Sequence, residues 1–97
     1  MKILLGNFQK VEQFDGKNGN GVVKNQFIIQ TDKGLVFQSY SCVVAAKVSG
    51  KIYLDANANS WDYSATTGKY RDQFLRETKK ETEAKIKTGE YILTDLN

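Results

Sequence analysis

The chain has no histidine, no proline and a single cysteine, Cys42. Without an imidazole, serine and cysteine nucleophiles lack their usual base, and no zinc site of the Cys/His type can be assembled. One thiol cannot close a disulfide within the chain. No apolar run approaches the roughly 20 residues that span a bilayer. The opening Met1-Lys2-Ile3-Leu4-Leu5-Gly6-Asn7 is too short in apolar residues for a secretory core. These absences point to a cytoplasmic protein with no membrane contact, to a binding protein and not an enzyme, and to no cofactor.

What is present fits one domain, residues 1–97, because a chain of 97 residues is too short for two proper cores. The formal charge of +3 is concentrated between Gly68 and Thr88. There Lys69, Arg71, Arg76, Lys79, Lys80, Lys85 and Lys87 stand against Asp72, Glu77, Glu81 and Glu83, and the remainder of the chain balances.

Leu4, Leu5, Phe8, Val11 and Phe14 recur at steps of three and four, which suggests a short amphipathic helix over residues 3–14, with a strand as the rival because Gly6 interrupts. The tract Asp15 to Gly21 carries three glycines and reads as a loop. Beyond it, Val22 to Thr31, Leu35 to Val48 and Ile52 to Asp55 are rich in β-branched and aromatic residues. Thr31-Asp32-Lys33-Gly34 and Ser49-Gly50 supply tight turns. This predicts a meander of three strands, the middle one long or broken near Ser39-Tyr40-Ser41, with Cys42, Val44, Ala46 and Val48 on one face.

The second half reads as helical. Thr66 or Thr67 is a candidate N-cap, with Tyr70, Phe74 and Leu75 as the buried stripe. Thr78-Lys79-Lys80-Glu81 fits a capping box, so a break and a second helix to Thr88 are expected, closed by Gly89. Glu90 to Leu96 reads as a final strand. The expected fold class is α+β: a single twisted antiparallel β-sheet, a meander plus the C-terminal strand, packed against one or two helices on one face.

Few residues carry a chemical signal. Asp55-Ala56-Asn57-Ala58-Asn59-Ser60 starts like a calcium loop, but Ser60 stands where glycine is needed and Thr66 where a bidentate Glu is needed. Gly16, Gly19 and Gly21 lack the Lys and Ser/Thr of a phosphate cradle, and a strand follows them where a helix is required. Cys42, among valines with no local cation, reads as an inert core residue. Asp72–Arg76, Glu81–Lys85 and Glu83–Lys87 have the spacing and order of helical ion pairs. Lys69, Arg71, Lys79 and Lys80 then remain as a modest basic patch for phosphates, or as a solvated face.

The most crowded stretch is WDYSATTGKYRDQFL, Trp61 to Leu75. Trp61 and Phe74 read as aromatic anchors on the sheet. Tyr63, Lys69, Tyr70 and Arg71 are candidate binding residues, because a helix N-terminus beside two cations can hold an anion. Lys69 and Arg71 are expected to be exposed and to tolerate alanine.

FIIQTDKGLVFQSYSCVVAAK, IYLD, WDYSATTGKYRDQFLRETKKET and GEYILTDLN, taken in order over Phe27 to Asn97, resemble a family of small uncharacterised proteins. Its members are encoded by phages, prophages and mobile elements of Gram-positive bacteria. This chain departs from that resemblance at Arg76, where glycine is common, and around Ala56 to Ser60. The resemblance implies no catalytic or binding residues. It implies a context, an accessory protein inside an infected bacterium, and by association a protein that inhibits a defence component, such as an anti-CRISPR or other anti-defence protein. The implied partner is a host protein or ribonucleoprotein. The alternatives are a homo-oligomeric sponge for a nucleotide immune signal, using Tyr63, Lys69, Tyr70 and Arg71 at the subunit junction, and a nucleic-acid-binding protein using Lys79 and Lys80.

Overall fold

A computed structural model describes residues 5–15 and 22–97. The glycine-rich loop considered above lies outside the described residues. Six strands form one sheet in chain order: β1 (Phe8–Asp15), β2 (Val22–Thr31), β3 (Gly34–Ser39), β4 (Cys42–Val48), β5 (Lys51–Asp55) and β6 (Tyr91–Thr94). All neighbours are antiparallel except β5 and β6, which run parallel. A 3-10 helix (Asn57–Asp62), α1 (Ala65–Leu75) and α2 (Lys79–Thr88) fill the crossover between them. The α+β architecture with helices on one face is as the sequence predicts, and the last strand joins in the parallel sense.

The segment with helical spacing is not the helix but its rival, the strand β1, and the middle strand is broken at the Ser39-Tyr40-Ser41 interruption into the β3–β4 hairpin, which turns at Tyr40-Ser41. Both segments carry bulges. In β1 the register shifts between Phe8 and Lys10, so Phe8 pairs with Thr31 while Val11 pairs with Ile29. Those partners lie two apart on β2, so Phe8 and Val11 share a face although they are three positions apart. In β4 the pairing passes from Ala45 with Phe37 to Val43 with Gln38, leaving Val44 as the extra residue. Val44 therefore packs with the helix-side core, whereas Ala46 and Val48 pack on the other face. Cys42, expected in the core, is exposed at the start of the strand.

The helix side buries Phe14, Phe37, Val44, Ala45, Leu54, Phe74, Leu75 and Tyr91. Phe14 meets Phe37 and Tyr70 edge-on, each with ring centroids 5.3 Å apart. The opposite face buries Ile29, Val36, Val43, Ala46 and Val48 together with Leu5 and Leu96. The C-terminal end is held by Asn97, whose side chain accepts from Val43 N (2.7 Å) and donates to Val43 O (3.0 Å).

α1 ends at Arg76, which adopts the left-handed conformation (φ 58°) that favours glycine. Lys47 reaches the same end, donating to Phe74 O at 2.6 Å. α2 starts with the expected capping box, Thr78 and Glu81 exchanging hydrogen bonds, and ends at Gly89 (φ 84°). Two of the expected helical ion pairs, Asp72–Arg76 and Glu81–Lys85, are replaced by other contacts. Arg76 has left the helix, Asp72 turns to Arg71, and Lys85 reaches back to Glu77. Glu77, in the short link between the helices, has a side chain only 4% exposed. It accepts from Lys85 Nζ (2.7 Å), Tyr91 OH (2.7 Å) and Thr82 Oγ1 (2.5 Å). That network fastens α2 to β6.

Candidate functional site

The N-terminus of α1 is built by Ser64, not by Thr66 or Thr67. Ser64 is extended (φ −156°, ψ 170°), and its Oγ accepts from Thr67 N at 3.2 Å. Thr67 is buried, and its Oγ1 lies 3.0 Å from Ser39 Oγ at the end of β3. A row of hydroxyls, Ser64–Thr67–Ser39, thus ties the helix start to the sheet.

One turn further on, Arg71 is the largest fully buried side chain, 1% exposed. Its Nη1 donates to Trp61 O (2.7 Å) and Asp62 Oδ1 (3.3 Å), and its Nε and Nη2 donate to Asp72 Oδ1 (3.2 and 2.9 Å). The guanidinium carbon lies 5.4 Å from the centre of the Trp61 ring. Gly68 lies beside it: a Cβ there would stand 3.4 Å from Nη2, so a longer side chain would strike the guanidinium. Asp62 also takes Lys79 Nζ at 2.9 Å. Burial raises the Asp62 carboxyl's pKa, but the hydrogen bonds and charges of Lys79 and Arg71 outweigh it and hold the carboxyl below its ordinary value. Arg71 is therefore a clamp between the 3-10 helix and α1, and its expected place on an exposed surface is corrected. Two carboxylates and a carbonyl supply enough acceptors to hold its charge in the interior.

The candidates fall into groups. Tyr70 packs against Phe14, with Lys69 Nζ 5.3 Å from its ring centre. Lys69, Arg71 and Lys79 line one open depression of about 680 Å³ together with Asp62 and Asp72, three cations facing two carboxylates. Lys80 lies in a different groove, beside Trp61 and Ile86. Tyr63 is on a third surface, 75% exposed. Trp61 is half-buried against the helix-side core, as an anchor should be.

The surface that Tyr63 occupies is a cleft of about 480 Å³ between the β3–β4 turn and the start of α1. Ser39 and Thr67 belong to it, with Ser60, Ser64 and Thr66 from the helix side and Ser41 and Cys42 from the turn. Among the described residues no charged side chain lines it. Tyr40, 59% exposed, comes from the turn and Tyr63 from the helix side. The Tyr40 backbone is left-handed (φ 56°), uncommon for a bulky residue. Its N–H donates to Asn25 O at 2.7 Å, and its carbonyl accepts from Gln38 Nε2 at 2.8 Å. The turn is thus held by both its amide and its carbonyl. Such a cleft offers aromatic faces and neutral donors and acceptors. Sequence reasoning found Tyr63 but missed Tyr40, Ser41 and Cys42. The available signal was the polar interruption Ser39-Tyr40-Ser41, which becomes a turn at the sheet end where α1 begins.

The profile of a family described as a family of unknown function (DUF8033) matches residues 9–90. No curated protein matches the chain, and no solved structure does.

Proposed function

The chain belongs to the DUF8033 family, whose function is not established, and from that premise we propose that it is a non-catalytic binding protein. It acts by covering a functional surface of a bacterial defence component, a host protein or ribonucleoprotein. The observation that carries the binding reading is the neutral cleft with its two solvent-facing tyrosines, Tyr40 and Tyr63. Tyrosine supplies large contact area at small entropic cost, and interface anchors are enriched in it. The lack of histidine favours binding over acid–base or nucleophilic catalysis. The defence setting rests on the resemblance of the Trp61–Thr82 and Gly89–Asn97 motifs to proteins of phages and mobile elements.

The two other readings have less support. For a nucleotide sponge, Tyr63, Lys69, Tyr70 and Arg71 would have to converge, yet only Lys69 and Arg71 share a depression, Tyr63 lies in the cleft, Tyr70 packs against Phe14, and Arg71 spends its donors on Asp62, Asp72 and Trp61. For a nucleic-acid face, Lys79 is paired with Asp62, and Lys80 lies in another groove with Glu83.

Affinity capture from a Gram-positive lysate is expected to recover one partner in fixed stoichiometry. The double variant Tyr40→Ala/Tyr63→Ala should keep the parent's thermal midpoint and bind that partner at least about thirtyfold more weakly, since a hot-spot residue is worth about 2 kcal/mol. Full retention of the partner by the double variant would remove the cleft from the contact surface.

A further inference from the structure

β1 is the terminal strand of the sheet, eight residues long, and among the described residues no strand pairs with its outer side. Its outer backbone groups are a template for another strand. Two apolar side chains on it are exposed, Val11 at 57% and Phe8 at 39%, and the bulge at Gln9 puts both on the same face. The sequence of this edge is Phe8-Gln9-Lys10-Val11-Glu12-Gln13-Phe14. Read from either end it is the same, except that lysine in one direction meets glutamate in the other; the bulge and the burial of Phe14 confine the matching faces to Lys10-Val11-Glu12.

We propose that β1 is a self-association edge, at which two copies of the chain pair β1 to β1, antiparallel, about a two-fold axis through Val11. Such an axis, perpendicular to the sheet, sets Val11 against Val11 of the second copy. It sets Lys10 against the second copy's Glu12, and Glu12 against its Lys10. The faces agree: Lys10 and Glu12 pair with Gln30 and Ile28 of β2 and share the helix side, while Val11 pairs with Ile29 on the other side. Within one chain Lys10 Nζ and Glu12 Oε1 already lie 2.8 Å apart, with side chains 64% and 60% exposed. Pairing two copies places these four charges in alternating order, and opposite charges directly across an antiparallel pair are favourable.

Charged side chains and bulges on an edge strand ordinarily serve to block pairing. A blocking charge, however, meets its like when two copies align, and here each charge meets its opposite. A closed two-fold contact of this kind also uses the same patch on both copies, so it ends at the dimer. The contact is one strand wide, below the roughly 1,600 Å² of a standard interface, so the dimer is weak and reversible.

Sedimentation equilibrium of the full chain, from micromolar to millimolar concentration, should give an average mass rising towards that of two chains. Lys10→Glu and Glu12→Lys each place like charges opposite one another at both ends of the axis, and each should weaken the dimer about tenfold or more. Both residues are exposed, so the fold is untouched. An equimolar mixture of the two single variants should restore association as a heterodimer, and the double variant Lys10→Glu/Glu12→Lys should restore it as a homodimer. A constant monomer mass over the whole range overturns the proposal. So does a dimer indifferent to the single reversals, or a double variant that stays monomeric. None of these measurements involves the cleft or its partner.

Discussion

Arg71→Ala should lower the stability of the domain by about 3–5 kcal/mol, read as a fall in the urea midpoint at pH 7. Arg71 is 1% exposed and bridges Trp61 O, Asp62 and Asp72. Removing it leaves a carbonyl and two carboxylate oxygens short of donors and opens a cavity beside Gly68. The loss is a large part of the roughly 5–15 kcal/mol that holds a domain together. Arg71→Lys should recover only a fraction, because an ammonium lacks the planar fork that spans several acceptors at once. Lys69→Ala, two positions away and exposed, should stay within about 0.5 kcal/mol of the parent. If Arg71→Ala matched Lys69→Ala, the guanidinium would be a surface group and the clamp between the 3-10 helix and α1 would not exist.

The second large effect belongs to Glu77. Glu77→Ala should cost about 3 kcal/mol, since it empties a buried space, takes the acceptor from Tyr91 OH and the carboxylate from Lys85 Nζ, and leaves Thr82 Oγ1 only its bond to Thr78 O. The pH dependence has a definite sign. Burial pushes the Glu77 pKa up, but the hydrogen bonds from Lys85, Thr82 and Tyr91 prevail and hold it below its ordinary 4.5. A group depressed in the folded state contributes fully above its unfolded value and loses that contribution as pH falls through the folded one. The Tyr91 hydroxyl moves the other way, pushed up to about 12 by burial and by the glutamate. Between pH 7 and pH 3 the parent should therefore lose more stability than Glu77→Gln, and the two unfolding midpoints should draw together. Parallel midpoint curves over that interval would mean that folding leaves the carboxyl's pKa where it is in the unfolded chain, and that the network does not favour its ionised form.

How far these features were legible in the sequence depends on whether their causes are local. The Thr78–Glu81 box, the Ser49-Gly50 turn and Gly89 at the end of α2 are set within four residues, and each is found where the pattern places it. β1 was ambiguous because its bulge puts Phe8 and Val11 on one face at a spacing of three, which imitates a helical stripe. Cys42 misled for the same reason: the extra residue Val44 breaks an alternation that looked continuous to Val48. Arg71 reads as exposed from the sequence because its acceptors, Trp61 O and Asp62, lie ten and nine residues back and meet it only after the 3-10 helix folds over. The cleft was half legible, since its α1 side is contiguous in the chain while Tyr40 and Cys42 arrive through the sheet.

The parallel pairing of β6 with β5 sets an order of events in folding. Each hairpin from β2 to β5 closes over two residues, whereas Tyr91 reaches Ile52 only after the 3-10 helix and both α-helices have been traversed. Loop closure costs more entropy the longer the loop, so the meander is the natural nucleus and β6 docks behind the main barrier. Glu77 and Tyr91 then come together on the native side of that barrier. Tyr91→Phe should accordingly speed unfolding while leaving the refolding rate near that of the parent, a φ-value close to zero. A refolding rate that fell in proportion to the lost stability would place β6 inside the nucleus instead.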